Sequence, residues 1–151
     1  MAESSVEGLV SACRQVFECW HDRGIVAAYL YGSALGPRHR SDSDVDVAVL
    51  DVPHDRLSWA DQSKLMDELE RATGQPVDLR MLRGCLLPHQ VHILKHGQPI
   101  WIASSSEADK YARLIQVTYE GEREHRWQVW SSILRTFAAR MRSSDESRLS
   151  R

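Results

Sequence analysis

Residues 31–50 read YGSALGPRHRSDSDVDVAVL, and the fold turns on how this stretch divides. Gly32 and Ser33 close one strand. A polar loop of ten residues follows, and Asp44-Val45-Asp46 opens the next strand. Asp44 and Asp46 are two apart, so on a strand they leave the same face with α-carbons roughly 6.5–7 Å apart, close enough to share an ion. Magnesium takes hard oxygen ligands and usually recruits one or two carboxylates together with substrate phosphates, which suits a bare aspartate pair. Gly32 lets the backbone approach a phosphate, and a helical turn starting at Ser33 would aim free N–H groups and a hydroxyl at it. In the loop, Arg38, His39 and Arg40 are placed to neutralise phosphate oxygens or to touch an acidic partner, and only the arginines are charged at every pH of interest.

Outward from that stretch, the pattern alternates helix and strand. Upstream, Val6, Leu9, Val10, Cys13, Val16, Phe17 and Trp20 fall at helical spacing, with Ser4 and Ser5 as caps and Gly24 ending a helix that runs through about Asp22. Ile25–Tyr31 is a nearly continuous apolar run, too short for a typical helix, as a strand covered on both faces would be. Downstream, Ser58 caps a helix over Trp59–Thr73 that Gly74 and Pro76 stop. A strand follows over Val77–Leu82, with Asp78 and Arg80 on one side and Val77, Leu79 and Met81 on the other. If it lies beside the Asp44 strand, three carboxylates meet and could hold two metals. Leu87–His96 reads as a short helix ended by Gly97, Pro99–Ala103 as a small strand, and everything beyond Ser106 as helical.

The C-terminal third carries Trp127, Trp130, Leu134, Phe137 and Met141, spaced three, four, three and four, the seam of an amphipathic helix. Core packing is the first reading of that seam and a partner surface the second. Gly121 is expected to kink or divide the segment. The organisation predicted is a core over residues 1–106, a helical extension of the same domain over 107–142 and a disordered tail over 143–151. His89, His92 and His96 sit at helical spacing, and without a nearby Cys or Glu they read as a helix-end stripe rather than a zinc site.

Bulk properties bound the function. At 151 residues, 42% hydrophobic and 26% charged, the chain is an ordinary globular domain rather than a disordered or fibrous one. A formal net charge of −2 gives no global positive field, so direct nucleic-acid binding is not expected. Cys13, Cys19 and Cys85 lack metal or redox spacing and read as reduced packing residues. With no signal-like N-terminus and no long apolar run, the expectation is a cytoplasmic protein without membrane contact.

Gly-Ser, ten residues, Asp-x-Asp and a distant strand aspartate together resemble the nucleotidyltransferase superfamily that includes DNA polymerase β. Within it, the segments VDLRML and ILKHGQPIW extend the similarity to the minimal nucleotidyltransferase family, antitoxins paired with HEPN-domain ribonuclease toxins. The resemblance covers about Val26 to Trp101. It implies an α/β (α+β) fold, a short mixed sheet with helices on one side, followed here by the helical extension. It also implies Mg2+, two ions, with ATP as substrate, and transfer of AMP to a hydroxyl, in characterised antitoxins a toxin tyrosine. Position by position, Gly32 and Ser33 match the phosphate-binding pair, Asp44 and Asp46 the metal ligands, and Asp78 the third carboxylate, catalytic as well as metal-binding. The partner implied is a HEPN-domain toxin, as a hetero-oligomer or alongside a homodimer. Two alternatives stand beside this: a small-molecule transferase of the aminoglycoside type, against which the short C-terminal region speaks, and an antitoxin that neutralises by binding alone.

Overall fold

A computed structural model describes residues 6–37, 43–53 and 56–149, with side chains through residue 136. The chain runs α1 (Val6–Cys19), β1 (Ile25–Tyr31), a 3-10 turn (Gly32–Leu35), β2 (Val45–Asp51), α2 (Trp59–Thr73) and β3 (Val77–Met81). A second 3-10 turn (Leu82–Gly84), α3 (Leu87–His96), β4 (Gln98–Ile102) and α4 (Ser105–Leu149) complete it. The four strands form one mixed sheet in the order β3-β2-β1-β4. β1 is antiparallel to both β2 and β4, whereas β2 and β3 are parallel. That parallel pair needs a crossover, and α2 supplies it.

Local chemistry sets the bounds of α2. Ser58 Oγ accepts from the Asp61 N–H at 3.1 Å, satisfying one of the orphan donors of the first turn. At the other end Gly74 adopts φ +68°, and its N–H donates to Glu70 C=O at 2.8 Å. Leu65 and Leu69, one helical turn apart, are fully buried. Each stabilises the helix on the sheet by roughly 1.5–3 kcal/mol.

The resemblance implies helices on one side of the sheet, and the packing differs. Val45, Val47 and Val49 of β2 join Phe17 of α1 and Leu65 and Leu69 of α2 in one core. On the opposite face Ala48 and Leu50 pack with Ile93 of α3 and with Ala108, Tyr111 and Ile115 from the start of α4. Both faces are therefore covered, which explains why every residue of β1 is buried and why its sequence does not alternate. α1 is shorter than its periodicity predicts. After Cys19 the chain tightens into turns, with the Trp20 N–H on Phe17 C=O at 2.9 Å and the Arg23 N–H on Trp20 C=O at 3.0 Å.

The chain divides into two compact units, one through Ile115 and one from Gln116. The second unit is helical, and α4 continues through Gly121 without a break, taking in residues that the sequence assigns to the tail. A single glycine costs a helix only about 1 kcal/mol, too little to divide one this long. Trp127, Trp130 and Leu134 are exposed, at 66%, 60% and 58%, so the seam does not serve as core in the isolated chain. The side chains of Phe137 and Met141 lie outside the described residues.

Candidate active site

The parallel and antiparallel registers bring three side chains into one row. Tyr31, the last residue of β1, pairs with Asp46, and Asp46 pairs with Asp78 on β3. Paired residues point to the same face of a sheet, so a tyrosine and two carboxylates stand side by side across three strands. Asp44 lies just before β2 and is exposed, whereas Asp46 is half-buried.

Gly32 follows Tyr31 directly with φ +72°, a left-handed conformation that side chains disfavour. A Cβ built there would overlap the Asp46 carboxylate. Glycine is thus required twice, for the turn and for room beside the acid. Ser33 is exposed in the 3-10 turn that follows, its C=O accepting from the Gly36 N–H at 3.0 Å. Arg38 and Arg40, predicted to grip phosphate, lie outside the described residues.

Among the described residues, the electrostatics of the row are dominated by its carboxylates. Burial, then the charges of Asp78 and Asp44, push the Asp46 carboxyl above its ordinary value, against the opposing pull of Arg80 and His89. Burial followed by Asp46 and Asp78 pushes the Tyr31 hydroxyl up to about 12, so it stays protonated. Asp78 is engaged: its Oδ2 accepts from Arg80 Nε and pairs with Nη2, both at 2.9 Å. Arg80, two residues on and on the same face, therefore pairs with a carboxylate. Among the described residues no three His, Cys, Asp or Glu side chains converge closely enough to hold a metal ion. The donor set nevertheless fits a hard divalent cation. It offers carboxylate oxygens only, and the burial and like-charge repulsion that raise Asp46 are what such an ion would offset.

Two members of this neighbourhood have no role in the sequence reading. His89 of α3 meets Tyr31 edge-on, with ring centroids 5.4 Å apart, and its charge reaches Asp46. It stands apart from His92 and His96, whose rings pair with each other at 5.0 Å. Tyr31 itself was readable only as the residue before Gly32. Its place opposite Asp46 depends on register, which periodicity does not disclose.

A family model described as polymerase beta, nucleotidyltransferase matches residues 16–106. The chain belongs to that family. Solved structures share the fold. One, a toxin–antitoxin complex with AMP-PNP, is 23% identical with a TM-score of 0.62, the match covering 81% of this chain and 98% of that one. Another, an MNT antitoxin in complex with tri-AMPylated HEPN toxin from Shewanella oneidensis, is 20% identical with a TM-score of 0.60, covering 83% and 98%. A third, a putative minimal nucleotidyltransferase, is 24% identical with a TM-score of 0.55, covering 66% and 99%. Among curated proteins none matches.

Proposed function

We propose that this chain is a Mg2+-dependent protein adenylyltransferase that acts in the cytoplasm as an antitoxin, moving AMP from ATP onto a tyrosine hydroxyl of a cognate HEPN-domain toxin. The observation that carries the reading is the acidic row, Asp46 beside Asp78 with Asp44 next to it, set against the Gly32 turn. Support comes also from the family and from the neighbour whose toxin is AMPylated. No helix among the described residues is long and apolar enough to cross a membrane.

In this reading Gly32 and Ser33 present backbone N–H groups and a hydroxyl to the terminal phosphates, with Arg38 and Arg40 neutralising them. Asp44, Asp46 and Asp78 would hold Mg2+, two ions, which when bound would offset charge on the phosphates and lower the pKa of the attacking hydroxyl. Asp78 orients the acceptor and takes its proton. The acceptor oxygen bonds to the α-phosphorus, the bond from that phosphorus to the bridging oxygen breaks, and pyrophosphate leaves with the electron pair. For Asp78 to act, Arg80 must release it, and the incoming phosphates are the natural new partner for the guanidinium.

The test is to incubate the protein with α-labelled ATP, Mg2+ and the protein encoded by the neighbouring gene. Label should appear on a tyrosine of that protein and vanish with Asp44→Ala. Neutralisation that survives Asp44→Ala without label would establish binding alone as the mode of action. The exposed Trp127, Trp130 and Leu134 face supplies a surface for that second reading.

A further inference from the structure

β3 is an edge strand, and the hydrogen-bond pattern says which of its backbone groups are open. The Val45 N–H donates to Pro76 C=O at 2.8 Å, and Val45 pairs with Val77 in a parallel ladder. In such a ladder alternate residues turn both backbone groups toward the neighbour. Residues 76, 78 and 80 therefore face β2, and residues 77, 79 and 81 face away from the sheet. The outward Val77 N–H is taken by Glu70 Oε1 at 3.1 Å, and Met81 C=O has the Cys85 thiol at 3.6 Å. The backbone groups of Leu79 and the Met81 N–H have no sheet neighbour, since among the described residues no strand lies beyond β3.

That open stretch is the wall of a groove. Leu79, Arg80 and Met81 line a cleft of about 680 Å³ whose other walls come from the start of α2 and from Gly84 to His89. Trp59 and Leu86, 87% and 81% exposed, stand in its lining. Arg56 and Arg80 bring positive charge, and among the described residues no carboxylate lines it. At one end the groove meets the candidate site, because Arg80 holds Asp78 and His89 faces Tyr31. Unprotected edges invite pairing, and proteins normally blunt them. Here the edge borders an aromatic, basic groove that leads to the carboxylates.

We propose that an extended, acidic segment of the acceptor polypeptide adds to β3 as a fifth strand, pairing with Leu79 and Met81. The proposal rests on the transferase reading above and specifies how its substrate docks. Main-chain bonds to the edge would hold the segment. Its side chains would alternate, one set toward Trp59 and Arg56 on the α2 face, the other on the face of Asp78 and Arg80. A hydroxyl in that second set is delivered to the reacting end of the sheet. A small-molecule acceptor would have no use for the edge.

The experiment uses the full chain with the protein encoded by the neighbouring gene and α,β-methylene-ATP, which cannot transfer AMP. Amide hydrogen exchange should slow at Leu79 and Met81 on complex formation, while Asp78 and Arg80, already in the ladder, change little. In steady-state transfer from ATP, Trp59→Ala should raise KM for the protein acceptor about tenfold and leave kcat near the wild-type value. Trp59 is exposed, so the variant should fold. Label transfer with unchanged exchange at Leu79 and Met81, or with an unchanged KM in Trp59→Ala, overturns the edge proposal alone. Protection of those amides without any label on the partner overturns the transferase reading alone. No protection and no label overturns both.

Discussion

The two ends of β2 each carry an aspartate, and the structure treats them oppositely. At the C-terminal end Asp51 is buried, at 3% exposure, and Arg83 answers it, with Nε donating to Asp51 C=O at 2.9 Å and lying 3.5 Å from Oδ1. Oδ1 takes no direct hydrogen bond, so the pairing there is ionic rather than donated. Arg83 is fixed in turn, its guanidinium carbon 4.5 Å from the centre of the Tyr111 ring. At the N-terminal end Asp46 has two other carboxylates for company, and among the described residues the arginine that acts on it, Arg80, is paired with Asp78. One strand thus shows a neutralised, structural acid and an under-neutralised one. A fold has no reason to maintain the second arrangement for stability, because like charges oppose each other. The charge deficit is what binding a cation and a triphosphate would correct.

The sharpest way to break this comparison is to remove each acid in turn. Asp46→Asn should lower AMP transfer by roughly 100-fold or more, the loss of several kcal/mol of transition-state stabilisation that a misplaced cation entails. Its folding free energy should hold or rise, since a repelled charge is gone. Chemical denaturation beside label transfer reads both. A variant that transfers normally would remove Asp46 from the site. Asp51→Ala should do the reverse, costing about 3 kcal/mol by stranding Arg83, the low end for a broken buried pair because the carbonyl and Tyr111 remain. Its kcat, measured on folded protein, should stay near wild type.

Gly32→Ala couples the two effects at smaller size. The left-handed backbone at φ +72° costs an alanine roughly 1–2 kcal/mol. The new methyl must also displace the Asp46 carboxylate. Stability and transfer should therefore fall together, whereas Gly74→Ala, at a similar φ but with open space around it, should lose stability without losing transfer. Equal transfer losses in the two variants would show that backbone strain, not proximity to Asp46, is what matters at Gly32.

Why the sequence disclosed some of this and not the rest follows from the range of each interaction. The bounds of β1, α2 and α3 are as predicted, because Ser58, Gly74 and Gly97 act within a turn of where they sit. The end of α1 is not as predicted, because Trp20 continues the apolar periodicity while its backbone has already tightened into a turn. Asp44, Asp46 and Asp78 were readable as acids on or beside strands. Their adjacency was not, since parallel pairing of β2 with β3 joins residues more than thirty apart through α2. Register likewise hides Tyr31 and the open side of Leu79. The roles of Arg38 and Arg40 stay where the sequence left them, as proposals for the phosphate end.

The smallest effect is the most specific to the charge deficit. A carboxyl whose folded-state pKa lies above its unfolded value keeps its proton longer when folded, so the unfolded state binds fewer protons in the window between the two. Stability should therefore fall as pH rises from near 3.8 through the raised folded-state pKa of Asp46, and stay level above it. Asp46→Asn has no such proton to lose. The stability of wild type minus that of the variant, measured by urea denaturation in EDTA, should decline across that window. Mg2+ added above the window should recover part of the difference in the wild type and none in Asp46→Asn, because the ion supplies the positive charge that the fold withholds. A difference that rises with pH in EDTA would mean that Arg80 and His89 outweigh burial and the neighbouring carboxylates, and that the two ends of β2 are alike.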